Sequence, residues 1–141
     1  MSTPISDGIY RISLDRQQFL TGIHTGGPVV LLPDAAGQVW RIRRTDKGGY
    51  TIRLGNVDRY LSYEGEPDVF EPVRLLPDQR EWDVTDGPEE EEGTVTIAAA
   101  GSALTLGLSP ILIYPPMVAL SPPQRQDRGW TLEPAWLDTP G

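Results

Sequence analysis

The sequence predicts an all-β fold built from one small unit used three times, and three observations predict it. The first is a recurring strand and turn. Pro28-Val29-Val30-Leu31-Leu32-Pro33 returns as Pro72-Val73-Arg74-Leu75-Leu76-Pro77 and again as Met117-Val118-Ala119-Leu120-Ser121-Pro122, with Val29, Val73 and Val118 separated by 44 and 45 residues. The second is a tryptophan strand after each copy: Gln38-Val39-Trp40-Arg41-Ile42, Arg80-Glu81-Trp82-Asp83-Val84 and Gly129-Trp130-Thr131-Leu132. A fixed period of this size is the mark of a repeated supersecondary unit. The third is punctuation. Fifteen glycines and fourteen prolines interrupt short apolar runs, and no 3.6-residue periodicity lasts long enough for a helix.

Taken in order, Gly8-Ile9-Tyr10-Arg11-Ile12-Ser13-Leu14 alternates in the manner of a half-buried strand. Asp15-Arg16-Gln17-Gln18 turns into Phe19 to Ile23, His24-Thr25-Gly26-Gly27 turns into Val29 to Leu32, and Asp34-Ala35-Ala36-Gly37 turns into Val39 to Arg43. The second unit repeats the plan with Gly49 to Leu54, Tyr60 to Tyr63, Val73 to Leu76 and Trp82 to Val84. In the third, Gly93 to Ile97, Ala103 to Leu106, Val118 to Leu120 and Trp130 to Leu132 take those places. Ile12, Ile52 and Ile97, the central leucines Leu20, Leu61 and Leu104, and the three tryptophans are therefore expected to stack as three-fold layers of one core. Twelve short strands in three units, about 8–46, 48–87 and 93–136, imply a single domain spanning 1–141. Its fold is a β-trefoil, a six-stranded barrel capped by a triplet of hairpins. Three propeller blades would fall below the usual minimum of about four.

Composition removes several functions. The chain has no cysteine and one histidine, His24 in a turn, so neither a thiolate nucleophile nor a metal site is expected, and no cofactor is implied. Gly26-Gly27 and Gly48-Gly49 precede no helix and do not form a phosphate-cradling loop. A net charge of −8 disfavours nucleic acid, and no apolar run approaches the length of a membrane helix. The acidic run Glu89-Glu90-Glu91-Glu92 reads as a solvated loop. Without a cationic and apolar leader, the expectation is a cytoplasmic protein, unless it is released by a route that needs no signal. Enzymatic chemistry has no support, and a rigid barrel presents its turns as a binding platform.

Asp7-Gly8-Ile9-Tyr10-Arg11-Ile12, Gln38-Val39-Trp40-Arg41-Ile42, Gly49-Tyr50-Thr51-Ile52 and Tyr60-Leu61-Ser62-Tyr63-Glu64 make residues 7 to 136 resemble the β-trefoil proteins of mushrooms. One branch of that group holds protease inhibitors, of the cospin/cnispin type against trypsin-like enzymes and the mycocypin type (clitocypin and macrocypin) against papain-like enzymes and legumain. The other holds ricin-B-like lectins. The resemblance thus implies either a protease or a carbohydrate as partner. Gln38-Val39-Trp40 spells the lectin Q-x-W once, while the equivalents Arg80-Glu81-Trp82 and Arg128-Gly129-Trp130 depart from it; Tyr63 and Tyr114 are the candidate sugar-stacking aromatics.

An inhibitor presents a loop already held in the shape a protease expects, so that little conformational freedom is lost on binding. The resemblance to cnispin-like inhibitors points to the connection after the eleventh strand, where Pro123, Gln124, Arg125 and Gln126 form the expected protease-binding loop and Arg125 would fill a trypsin-like S1 pocket. A second candidate is Arg43 to Gly49, with Arg44 and Lys47, in the inter-unit position that plant Kunitz-type trefoils use. A third is Gly55 to Arg59, with Arg59 and with Asn56 where clitocypin-like inhibitors place a legumain-directed asparagine. The loop after the second strand carries no basic residue here, a departure from the cospin type, and the short Asp15–Gln18 and Asp34–Gln38 turns disfavour papain-like targets.

Overall fold

The computed structural model describes residues 7–14, 17–22, 26–33, 39–55, 57–86, 93–110, 116–122 and 129–134. Twelve strands and no helix occupy these segments. They are β1 (Gly8–Leu14), β2 (Gln18–Gly22), β3 (Val29–Leu32), β4 (Trp40–Arg44), β5 (Tyr50–Leu54), β6 (Tyr60–Ser62), β7 (Arg74–Leu76), β8 (Trp82–Asp86), β9 (Val95–Ala99), β10 (Thr105–Leu108), β11 (Val118–Ser121) and β12 (Trp130–Pro134). Six of them close a ring of antiparallel pairs, β1–β4–β5–β8–β9–β12 and back to β1. The hairpins β2–β3, β6–β7 and β10–β11 cap one end. The fold is a β-trefoil.

Alternation explains which side chains go inside. On β4 and β5, Trp40, Ile42, Tyr50 and Ile52 are buried, while Arg43 is exposed and Arg41, Thr51 and Arg53 lie part-way. Neighbours on a strand point to opposite faces, so the inward set comes from every second residue. Ile12, Ile52 and Ile97 are at most 1% exposed and occupy equivalent places in the three units. The tryptophans are locked the same way. The indole N–H groups of Trp40, Trp82 and Trp130 donate to the carbonyls of Leu20, Leu61 and Leu106 at 3.1, 2.9 and 3.0 Å. A buried indole needs a partner for its N–H, and here each unit's hairpin strand supplies one to the barrel.

These bonds correct the expected leucine layer. Leu106, not Leu104, is the third member; its cross-strand partner Leu120 matches Leu31 opposite Leu20 and Leu75 opposite Leu61. The reason is a turn the alternation concealed. The amides of Ser102 and Ala99 donate to the carbonyls of Ala99 and Leu104, and Gly101 takes a φ of +77°, which a glycine adopts at little cost. The turn consumes residues up to Ala103 and moves β10 two residues along from its expected start.

The cap is closed by backbone bonds that run around the pseudo-three-fold axis. The bridges Pro28↔Arg74, Pro72↔Ala119 and Met117↔Val30 join each hairpin to the next. The amides of Leu31, Leu75 and Leu120 donate to the carbonyls of Pro116, Gly27 and Glu71 at 2.9, 3.1 and 3.0 Å. Val29, Val73 and Val118 sit inside this ring with no measurable exposure. The recurring Val-x-Leu pattern is thus the inner lining of the cap, and its flanking residues supply the junctions.

Candidate functional site

The expected protease-binding loop, Pro123 to Gln126, lies outside the described residues, as do Asn56, His24 and Tyr114. Its two anchors are described. Ser121 ends β11 opposite Thr105 and is 4% exposed, and Trp130 opens β12 with its indole bonded to Leu106. Pro122 to Arg128 therefore connect two points held by the core.

The second candidate is well defined. Thr45 to Gly48 form a tight turn, with the Gly48 amide donating to Thr45 at 3.1 Å and the Thr45 amide to Gly49 at 2.8 Å. Gly48 has a φ of +89°. Lys47 is exposed at the tip of this turn. Arg44 is the last residue of β4, opposite Tyr50, and its amide donates to the Asp7 carboxylate at 2.8 Å. Proteases bind extended peptide, and this connection is a hairpin turn instead. Arg59 lies in the third candidate, where its guanidinium turns back to the Asp58 carbonyl at 2.7 Å.

Behind Arg44 the chain builds a feature that motif reading did not single out. Arg41, Arg53 and Tyr60 lie in one row across β4, β5 and β6, and Arg43 faces Thr51 in the next row. Directly opposed side chains on a sheet stand about 5 Å apart at Cβ. Together with Arg44 and Gln79 they surround an open hollow of about 210 Å³ on the outer barrel wall. The Gln79 amide donates to the Tyr60 hydroxyl at 3.2 Å. Among the described residues, the arginine side chains of this hollow meet one carboxylate, Asp58, at 3.6 Å from Arg53 Nη1, and that Asp58 side chain is 88% exposed; Arg53 Nη2 also donates to the Gly55 carbonyl at 3.3 Å. The Nε groups of Arg41 and Arg53 are shielded from solvent and have no hydrogen-bond partner among the described residues. Six of the twelve cationic residues fall between Arg41 and Arg59, against only Asp46 and Asp58, in a chain of net charge −8. That local excess was the available signal, because strand alternation on β4 and β5 sends Arg41, Arg43, Thr51 and Arg53 to one face.

The candidate sugar-stacking positions read differently in three dimensions. Tyr63 is 4% exposed, makes an edge-on contact with Trp82 at 5.6 Å between centroids, and carries the Arg80 guanidinium 4.4 Å over its ring. It has no face to offer a sugar, and Trp40 of the single Q-x-W is fully buried. The large apolar side chains exposed among the described residues are Val57, Val69 and Phe70. Phe70 stands in the β6–β7 connection with a φ of +65°, a conformation disfavoured for any residue with a Cβ. Its amide donates to Leu120 just as the Gly26 amide donates to Leu75, so the two are equivalent positions. Where the first unit uses glycine, the second holds an exposed aromatic ring.

No family model matches the chain, and neither does any curated protein sequence. Solved structures do. A ricin B-like lectin of Macrolepiota procera, determined in complex with lactose, is 22% identical with a TM-score of 0.79, covering 94% of this chain and 100% of its own. The Rhizoctonia solani agglutinin is 18% identical with a TM-score of 0.73 over the same shares. A proteinase inhibitor from Coprinopsis cinerea is 15% identical with a TM-score of 0.66, again covering 94% of this chain and 100% of its own. At these identities the likeness establishes a shared fold, and the same scaffold carries lectins and an inhibitor.

Proposed function

We propose that this protein is a reversible protease inhibitor that acts through the connection between β11 and β12, with Arg125 as the residue presented to trypsin-like serine proteases. The carrying observation is the anchoring of that connection. Ser121 and Trp130 are both buried and fixed by the core, so the segment between them starts and ends on immobile points. A loop bounded in this way loses less conformational entropy when a protease takes it up. The sequence adds Pro122 and Pro123 at its entry and Arg125 at its middle. The Coprinopsis cinerea proteinase inhibitor provides a precedent for this fold in that role.

The test is titration of trypsin and of legumain with the protein, followed by the variants Arg125→Ala, Lys47→Ala and Asn56→Ala. Tight inhibition of trypsin that is lost only in Arg125→Ala supports the assignment. Loss in Lys47→Ala or Asn56→Ala moves the site to another connection, and the absence of inhibition of either enzyme removes the function.

A second reading, carbohydrate binding, is favoured by one observation. Phe70 is exposed in a connection bounded by Pro67 and Pro72, with Asp68 two residues before it. An aromatic face and a nearby carboxylate are the groups a saccharide site uses, and the Macrolepiota procera lectin has this fold. Retention on lactose-coated beads, released by free lactose and abolished in Phe70→Ala, would select this reading over inhibition.

A further inference from the structure

We propose that the outer face of β4, β5 and β6 is a binding site for a sulfate or phosphate group, held by Arg41, Arg43 and Arg53 with Thr51 and the Tyr60 hydroxyl as added donors. Like charges placed directly opposite each other on a sheet destabilise it, and Arg41 and Arg53 are opposed in that way. Arg43 adds a third guanidinium on the same face, two residues further along β4. A folded chain with twenty acidic side chains had many ways to neutralise these groups. Among the described residues it supplies one, Asp58, at 3.6 Å from Arg53 and 88% exposed on its side chain, a pairing that water and salt screen heavily. The shielded Nε groups of Arg41 and Arg53 likewise have no acceptor among the described residues. An unmet buried donor calls for an explanation, and a bound anion provides one.

The geometry selects the class of anion. Planar guanidinium groups match the oxygens of phosphate and sulfate in pairs, which a lone lysine does not do. Arg41, Arg53 and Tyr60 form one row and Arg43 and Thr51 the next, so donors approach from two adjacent rows. That spread suits an anion with several outward oxygens. The hollow of about 210 Å³ is open to solvent and admits a sulfate or phosphate ester carried on a larger molecule. The overall charge of −8 does not prevent this. At physiological ionic strength, charges farther away than about 8 Å are largely screened, and the near field belongs to the arginines.

The residues that line the hollow lie between positions 41 and 79 and include none of the β11–β12 connection, so its test stands apart from protease inhibition. Inorganic sulfate and inorganic phosphate are titrated into isotope-labelled protein while backbone amide resonances are followed, with uncharged glucose as control. Glucose 6-sulfate and glucose 6-phosphate then distinguish the two sources. Saturable shifts confined to residues 41–44, 51–53 and 60 are expected. Each of Arg41→Gln and Arg53→Gln should weaken binding by about tenfold or more, the equivalent of losing one charge-assisted hydrogen bond. Arg74→Gln should bind as the parent does, because Arg74 opens β7 and is not among the residues that line the hollow. Shifts that fail to saturate, that spread over the surface, or that persist unchanged in both arginine variants would overturn the proposal. Localised saturation in the parent protein decides the matter even if a variant folds poorly.

Discussion

Replacing each core tryptophan by phenylalanine tests the three-fold architecture most directly. Trp40, Trp82 and Trp130 are at most 2% exposed, and each indole N–H donates to a hairpin carbonyl at 2.9 to 3.1 Å. Phenylalanine keeps an aromatic ring in place and deletes the donor. The abandoned carbonyl of Leu20, Leu61 or Leu106 then lacks that partner, which costs about 1–3 kcal/mol. The smaller ring also leaves a void, and at about 24 cal/mol per Å³ of cavity this adds of order 1 kcal/mol. Each variant should therefore lose about 2–4 kcal/mol, a large share of the roughly 5–15 kcal/mol that holds a typical domain together. Trp82→Phe should fall at the upper end, because the edge-on contact with Tyr63 is disturbed as well. Urea unfolding followed by far-ultraviolet circular dichroism measures all three on one scale. If one variant lost less than about 0.5 kcal/mol while the others lost several, the three sites would not be equivalent and the layered core would be refuted.

Two further outcomes follow from local geometry. At Phe70, whose φ is +65°, glycine should give a more stable protein than alanine by about 1 kcal/mol, reversing the usual order inside regular structure; equal unfolding midpoints for Phe70→Gly and Phe70→Ala would contradict the strained backbone. Burial first, and then the charges of Asp7 and Tyr50, raises the ionisation of the Tyr10 phenol above the ordinary tyrosine value near 10. The neutral phenol is therefore favoured in the folded protein, so its contribution to stability is complete below about pH 10 and is lost as the pH climbs through the folded-state value. The phenolate absorbance of the parent less that of Tyr10→Phe should show the Tyr10 phenol ionising above about pH 10, and Tyr10→Phe should remove that part of the alkaline loss of stability.

Much of the architecture was legible because repetition multiplies weak signals. No single run such as Val29 to Leu32 identifies a trefoil, yet three copies at matched distances leave few arrangements that bury all of them. The errors came where local pattern competed with a turn. Leu104 and Leu106 both satisfy the alternation around β10, and it takes the hydrogen bond from Trp130 to the Leu106 carbonyl and the pairing of Leu106 with Leu120 to separate the core residue from its neighbour. Tyr63 was a candidate for a ligand because it fell outside the expected core layers, whereas Arg80, remote in sequence, covers its ring.

The sequence by itself determined the fold class and the inward set of side chains, because strand period and repeat spacing are one-dimensional properties written along the chain. It also determined that thiol and disulfide chemistry are absent, since the chain has no cysteine. The tertiary structure decided what three separate strands present together. Arg41, Arg53 and Tyr60 become one row only when β4, β5 and β6 pair in register, and Phe70 becomes the counterpart of Gly26 only when the cap closes around its axis. Both are consequences of long-range pairing, which depends on the packing energy of the whole core rather than on any local preference.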